Sequence, residues 1–129
     1  MDNFYRENIL DHYRNPRNFG KMKSPDSGGE DANISCGDKI GIQIKLQNKD
    51  KTIEDIRFYG EGCAISMASA SLLTGKVKGM KVEEVKKLVT KDVLILLGFE
   101  LTPTRLKCAL LSLEVLQRVI ANIPLAKTR

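Results

Sequence analysis

The chain has 129 residues, of which 42% are hydrophobic and 29% are charged, and its formal net charge is +5. This length is enough for one domain whose hydrophobic core needs no disulfide staples, so residues 1–129 are interpreted as a single domain. No apolar run approaches the roughly 20 residues that a transmembrane helix needs. The first residues also lack the patterns of a secretory signal or a transit peptide. We therefore expect a cytoplasmic protein with no membrane partner.

The positive charge does not by itself indicate nucleic-acid binding. The lysines of segment 75–91 are interleaved with acidic residues, and no aromatic side chains for base stacking accompany them. This pattern is typical of a solvated helix face, and it favours an acidic protein partner over nucleic acid.

The first predicted elements are a helix, a loop and a strand. Apolar residues at near-helical spacing predict a helix that Asp2 or Asn3 caps and that Asn15-Pro16 ends. Segment 15–31 contains two prolines and three glycines, which predicts an exposed loop leading into a short strand before Cys36.

A hairpin and a series of helices follow. Isoleucine or leucine at positions 40, 42, 44 and 46 alternates with other residues, which predicts a half-buried strand; segment 52–59 predicts its hairpin partner, closing at Gly60. The period then becomes helical, with Cys63 at or next to a helix N-terminus. Further helices are predicted over 82–89, from a cap at Asp92 to Gly98, and after a cap at Thr102 or Thr104. This order predicts an α+β fold with the helices on one side of the sheet.

The three cysteines, Cys36, Cys63 and Cys108, are separated by 27 and 45 positions, and no CxxC motif is present. A zinc finger or a thioredoxin-type pair is therefore not indicated, and any shared site must be assembled by folding. An equally plausible interpretation is that the three cysteines have no shared site and pack as small buried hydrophobic residues.

The local sequence around the cysteines favours a site. In an extended backbone Cys36 and Asp38 would point to the same face, and Gly37 between them allows a turn or the close approach of a metal. A thiol at position 63 would feel the positive end of a helix dipole. Arg105 and Lys107 would favour the thiolate of Cys108.

Cys36, Asp38, Cys63 and Cys108 together offer three sulfur ligands and one oxygen, a set that suits zinc or the irons of an iron-sulfur cluster. The carboxylate is a harder ligand than a thiolate, so such a site should hold an iron-sulfur cluster less firmly than four cysteines would. The only histidine, His12, is interpreted as a packing or surface residue.

Four segments resemble a known family. YRENILDHYRNPRNFG near the N-terminus, SCGD at 35–38, GEGCAISMASASLLT at 60–74 and RLKCALLSLEVL at 105–116 are similar to the iron-sulfur cluster assembly scaffold family, which includes IscU, SufU and the N-terminal domain of NifU. The resemblance covers essentially the whole chain. It implies a small three-stranded antiparallel sheet with helices packed on one side.

The resemblance also implies a function. Cys36, Asp38, Cys63 and Cys108 would bind a 2Fe-2S cluster through its iron, or zinc when no cluster is present. Sulfur would arrive as a persulfide from a cysteine desulfurase, with Cys108 or Cys36 as the acceptor. The cluster would pass to apo iron-sulfur proteins or carrier proteins. Because the site is exposed in such a fold, a cluster could be shared between subunits of a homodimer.

Three departures from the patterns of the family leave more than one role open. Lys107 replaces the histidine that IscU proteins usually carry, and LTPTR at 101–105 replaces the LPPVK motif, which puts interaction with an Hsp70-type chaperone in doubt. RLKCA is similar to SufU, but the 45-residue spacing leaves no room for the SufU insertion. The alternatives are a cluster scaffold, a zinc-dependent sulfur acceptor that builds no cluster, and a structural zinc module for protein interaction.

Overall fold

A computed structural model of the chain describes residues 3–34, 37–47, 51–98 and 101–123. The elements in this part of the chain are α1 (Asn3–Arg14), β1 (Ser27–Asn33), β2 (Asp38–Leu46), β3 (Ile53–Glu61), α2 (Ala64–Val77), α3 (Val82–Val85), α4 (Thr90–Leu97) and α5 (Pro103–Ala121). The strands form one antiparallel sheet in the order β1-β2-β3. The predicted α+β fold with a three-stranded sheet is confirmed.

The core lies between one face of the sheet and the helices. Ile40, Ile42 and Ile44 of β2 are fully buried on this face, as their alternation predicts, and Phe58 of β3 pairs with Ile42 and is also fully buried. Each such side chain contributes about 1.5–3 kcal/mol through burial. Helices α2 and α5 pack on this face. Helix α2 begins at Ala64, soon after β3 ends at Glu61, so its N-terminus lies at the end of the sheet where β2 begins.

Helix α2 is the centre of the helical layer and contacts α1, α4 and α5. Its buried positions include small residues such as Ala68, Ala70 and Ser69. The hydroxyl of Ser69 donates to the backbone carbonyl of Ala109 in α5 at 2.6 Å. Small side chains allow this close approach of the two helices, which places the N-terminal turns of α2 and α5 side by side.

The loop between α1 and β1 is hydrogen-bonded to the sheet. The amide of Gly20 donates to the carbonyl of Phe58 at 2.8 Å, and the amide of Phe58 donates to the carbonyl of Asn18 at 2.9 Å. The ammonium of Lys21 lies 4.5 Å from the ring centroid of Tyr59 on the face away from the helices. The predicted loop therefore exists only up to Asp26, where it is attached to β3 and the outer face of the sheet, and residues 27–31 of the predicted loop belong to β1.

Two helix predictions need correction. The helix expected over 82–89 is a single turn, Val82–Val85, and α4 begins at Thr90 with Val89 as its N-cap. Asp92 is not the cap, because it sits at the third helical position, where its carboxylate accepts the Val89 amide proton at 2.8 Å. Asp2, one predicted cap of α1, lies outside the described residues. None of the helices in the described ranges is long and apolar enough to cross a membrane.

Candidate metal centre

The pairing of β2 with β3 brings Asp38 and Cys63 to the same end of the sheet. Lys39 pairs with Glu61, so Asp38 at the start of β2 comes opposite Gly62, which follows β3. Cys63 comes next and has the extended backbone of a helix N-cap, with φ −72° and ψ 169°. The prediction that Cys63 lies at a helix start is therefore confirmed.

Helix α5 supplies a third group. Cys108 lies in the second turn of α5, beside the first turn of α2. One oxygen of Asp38 and the sulfurs of Cys63 and Cys108 all lie within 4.8 Å of one another. Three of the four predicted ligands thus converge, although 25 and 45 positions separate them in sequence. Cys36, the fourth, lies outside the described residues.

The two oxygens of the Asp38 carboxylate have different neighbours on Cys63. Its Oδ1 accepts the backbone amide proton of Cys63 at 2.9 Å, while its Oδ2 lies 4.0 Å from the Cys63 sulfur. Asp38 is only 1% exposed. A buried carboxylate is costly unless charge or hydrogen bonds offset its desolvation, and a cation held between Asp38 and the thiols would do so.

The residues present fit a metal ion in both chemistry and spacing. Zinc binds thiolates at about 2.3 Å and carboxylates at about 2.0–2.2 Å in a tetrahedron, which places neighbouring ligand atoms about 3.5–3.8 Å apart. The three candidate ligand atoms lie within 4.8 Å of one another, and small side-chain rotations would bring them to this spacing. Thiolate sulfur also suits the irons of an iron-sulfur cluster.

Gly37 adopts the turn that the sequence allows at this position and not the extended conformation, since its φ of +71° lies in the left-handed region. Its amide donates to the carbonyl of Ile34 at 3.3 Å, which closes a turn before β2. Glycine is suited to this position because it adopts a positive φ without steric cost.

Gly62 is required for a different reason, the close approach of other groups. A Cβ at this position would lie 2.5 Å from Oδ1 of Asp38 and would also overlap the hydroxyl of Ser66. Any side chain at position 62 would therefore push the carboxylate away from Cys63.

Replacing Gly62 with alanine is expected to destabilise the metal-free protein by about 1–3 kcal/mol, as overpacking usually does. It should also weaken zinc binding about 10-fold or more, because the new side chain would displace the Asp38 carboxylate. Loss of an outer-shell partner that orients a ligand lowers metal affinity by a similar factor. Urea unfolding and competition with a chromophoric chelator measure the two effects. Gly75→Ala is the matched control, since a Cβ there meets nothing within 4 Å. Zinc affinity that falls equally in both variants would contradict this account of Gly62.

Ser66 places a hydroxyl beside this group, a contact that was not predicted from the sequence. It is fully buried, its hydroxyl donates to the carbonyl of Cys63 at 3.1 Å, and its Oγ lies 3.8 Å from the Cys63 sulfur. A serine three positions after a cysteine at the start of a helix was the available signal, because such residues are neighbours on a helix surface.

Arg105 and Lys107 are both exposed on α5. Lys107 lines a groove of about 400 Å³ between α5 and the end of β1, together with Ile34 and Glu114. In the part of the chain that the structure describes, Lys107 forms no ion pair with Asp38. Its charge is therefore presented at the surface next to the candidate site.

The side chain of His12, in α1, faces α2, where its Nδ1 is 2.7 Å from the hydroxyl of Ser71. Burial, followed by the nearby Arg17 guanidinium, holds the pKa of His12 below its usual value. This contact agrees with the interpretation of His12 as a packing residue.

Similarity to known proteins places the chain in a family. Residues 4–128 match the family described as the NifU-like N-terminal domain. The chain belongs to this family. This NifU-like domain is 38% identical to the zinc-dependent sulfurtransferase SufU of Bacillus subtilis, over 95% of the chain and 92% of SufU. It is 36% identical to the iron-sulfur cluster assembly scaffold protein IscU of Escherichia coli, over 92% of both chains.

Solved structures agree with this fold. A putative iron-sulfur cluster assembly scaffold protein for the SUF system from Fervidobacterium islandicum superposes with a TM-score of 0.78 at 25% identity, covering 88% of the NifU-like domain and 94% of the other chain. The N-terminal NifU-like protein of Brucella abortus superposes with a TM-score of 0.75, covering 95% of each chain, at 21% identity. The second likeness supports the fold alone.

The alignment with the Bacillus SufU spans 140 positions, more than the 129 residues of the NifU-like domain. SufU therefore has residues with no counterpart here. The alignment with the Escherichia IscU spans only 121 positions. In length, the NifU-like domain is thus more similar to IscU.

Proposed function

We propose that this NifU-like domain is a scaffold on which a 2Fe-2S cluster is assembled and from which it is transferred to apo iron-sulfur proteins or carrier proteins. The observation that carries this proposal is the convergence of Asp38, Cys63 and Cys108 within 4.8 Å, in a chain related to IscU over nearly its whole length. Cys36 is the proposed fourth ligand. Free thiols suit a reducing compartment, so we place the protein in the cytoplasm.

The sulfur of the cluster would come from the persulfide of a cysteine desulfurase. A thiolate of the scaffold attacks the terminal sulfur of the donor persulfide, and a new S–S bond forms as the old one breaks. The desulfurase cysteine leaves as a thiolate, and the scaffold cysteine becomes the persulfide. This exchange is redox-neutral, whereas the transferred sulfur would need two electrons, supplied by ferrous iron and a thiol reductant such as free cysteine, to become the sulfide of a cluster.

Cys36 and Cys108 are the proposed acceptors. Cys108 is only 4% exposed, so a donor reaches it only when neighbouring residues move. The exposed cations Arg105 and Lys107 would help to attract an anionic persulfide towards this end of the molecule. Cys63 is partly exposed, and its sulfur lies close to the Asp38 carboxylate, whose charge opposes an incoming anion.

A second function is favoured by a specific observation. The relative with 38% identity over 95% of the chain is named a zinc-dependent sulfurtransferase, and Lys107 next to Cys108 matches the SufU-like RLKCA pattern. In this alternative, zinc would be held by Cys36, Asp38, Cys63 and Cys108 and would keep the ligating sulfurs deprotonated. The protein would then relay sulfur without building a cluster.

Anaerobic incubation with ferrous iron, a cysteine desulfurase and free cysteine separates the two functions. A scaffold is expected to develop the visible absorption of a 2Fe-2S cluster and to pass the cluster to added apo-ferredoxin, whose own 2Fe-2S spectrum then replaces that of the scaffold. The metal content and the sulfur bound to the protein are measured in parallel. Zinc that stays bound while sulfur is accepted, with no visible absorption, would reject the scaffold and support the sulfurtransferase.

A further inference from the structure

The buried hydroxyl of Ser66 lies behind the candidate metal centre and has two neighbours on the same residue. Its Oγ is 3.1 Å from the carbonyl oxygen of Cys63 and 3.8 Å from the Cys63 sulfur. Ser66 is fully buried, so water does not compete for this hydroxyl. Its single proton can be donated to only one of the two acceptors at a time.

The polar groups near Cys63 differ in what they can offer its sulfur. While the sulfur carries a proton, it can donate to the hydroxyl of Ser66 or to Oδ2 of Asp38, which lies 4.0 Å away. A sulfur bound to a metal has no proton and can only accept. The Asp38 carboxylate cannot donate, whereas a serine hydroxyl can.

We propose that Ser66 is a positioning residue for Cys63, whose hydroxyl turns to donate a hydrogen bond to the Cys63 sulfur when that sulfur binds metal. This inference rests on the proposed metal-binding function. The turn needs rotation of the hydroxyl proton alone, because the oxygen already lies within reach of the sulfur. Ser66 can therefore partner Cys63 in both the free and the loaded site, which suits cargo that must be bound and released.

Gly62 is the second part of this arrangement. The hydroxyl of Ser66 and Oδ1 of Asp38 occupy the space that a side chain at position 62 would fill. Both partners of Cys63 are thus brought against the residue that precedes it. Hydrogen bonds from outer-shell residues orient metal ligands, and their loss typically costs about 10–100-fold in metal affinity.

Ser66→Ala is compared with Ser71→Ala, a matched control in the same helix. Ser71 is equally buried, but its hydroxyl contacts the ring of His12 and accepts the Arg17 amide proton, away from the metal centre. We expect Ser66→Ala to weaken zinc binding about 10–100-fold, measured by chelator competition. Ser71→Ala should change it less than about 2-fold, and Ser66→Thr, which keeps a hydroxyl, should recover most of the affinity.

Cobalt loading provides a readout that a purely structural role would not alter. A hydrogen bond lowers the energy of the sulfur lone pairs, so its loss in Ser66→Ala should move the sulfur-to-cobalt charge-transfer absorption to longer wavelength. The Ser71→Ala spectrum should match the wild type. An unshifted spectrum and unchanged zinc affinity in Ser66→Ala would overturn the proposal.

The wild-type protein gives a test that does not depend on how the variants fold. After loading with cadmium-113, a scalar correlation between the Ser66 hydroxyl proton and the metal is expected in the NMR spectrum, because the hydrogen bond connects them through the Cys63 sulfur. Cadmium bound by Cys63 without this correlation would reject the role of Ser66 alone. Failure to bind cadmium, zinc or cobalt at all would instead reject the proposed metal-binding function.

Discussion

Cys63→Ala is expected to lower the affinity for zinc by more than about 100-fold, beyond what loss of an outer-shell partner causes. The replacement removes one of the three converging candidate ligand atoms. It keeps the bond from the residue 63 amide to Asp38, because that donor belongs to the backbone. The free energy of unfolding of the metal-free protein should therefore change by less than about 1 kcal/mol. Chelator competition and urea unfolding of the zinc-free protein measure the two quantities.

Cys108→Ala is the informative comparison for this prediction. Cys108 is 4% exposed and belongs to the hydrophobic core. Its replacement should weaken zinc binding similarly and also destabilise the metal-free fold by about 1 kcal/mol or more, since it removes a packed atom. A Cys63→Ala protein that retains wild-type zinc affinity would show that this sulfur is not a ligand.

The second large effect is expected for Asp38→Ala, which should lengthen the lifetime of a bound 2Fe-2S cluster several-fold. The carboxylate is the hard, exchangeable ligand of the proposed set, and its removal would leave softer thiolates to hold the irons. The same change leaves the part-buried amide of Cys63 without its acceptor, which should cost about 1–3 kcal/mol of stability. Anaerobic decay of the visible absorption after chelator addition gives the lifetime.

Asp38→Asn separates the two roles of this residue. Asparagine keeps an oxygen that can accept the Cys63 amide proton but lacks the negative charge of the carboxylate. If the ligand chemistry causes lability, both variants should hold the cluster longer, and only Asp38→Ala should lose stability. A cluster that decays faster in Asp38→Asn than in the wild type would contradict the proposed role of the carboxylate.

The two proposed functions place different demands on the same residues. A scaffold needs ligands that release a cluster, and the division of the Asp38 carboxylate between an amide and the site is consistent with weak holding. A zinc-dependent sulfur acceptor instead needs a metal that stays while a thiol reacts. The name SufU accompanies both roles among the relatives, one called a sulfurtransferase and the other a putative scaffold. Only the reconstitution experiment distinguishes them for this chain.

The secondary structure was predictable where local rules dominate. The alternation from Ile40 to Leu46 marked β2 correctly because a half-buried strand requires that period. The prediction was wrong at the start of α4. An aspartate can stabilise a helix start either as the N-cap or from the third helical position, and Asp92 occupies the third position. The loop before β1 was predicted, but its attachment to Phe58 depends on a partner about 40 positions away, which no local pattern reveals.

The sequence by itself determined the fold class, the family and the identity of the candidate ligands, because periodicity and the cysteine-containing segments are local properties of the chain. The tertiary structure alone decided that Asp38, Cys63 and Cys108 meet, since their approach depends on strand register and on the packing of α5 against α2. It also decided what surrounds them, which is the Cys63 amide that donates to Asp38, the space that Gly62 leaves open and the hydroxyl of Ser66. These are contacts across a fold, and their geometry exists only once the chain has closed on itself.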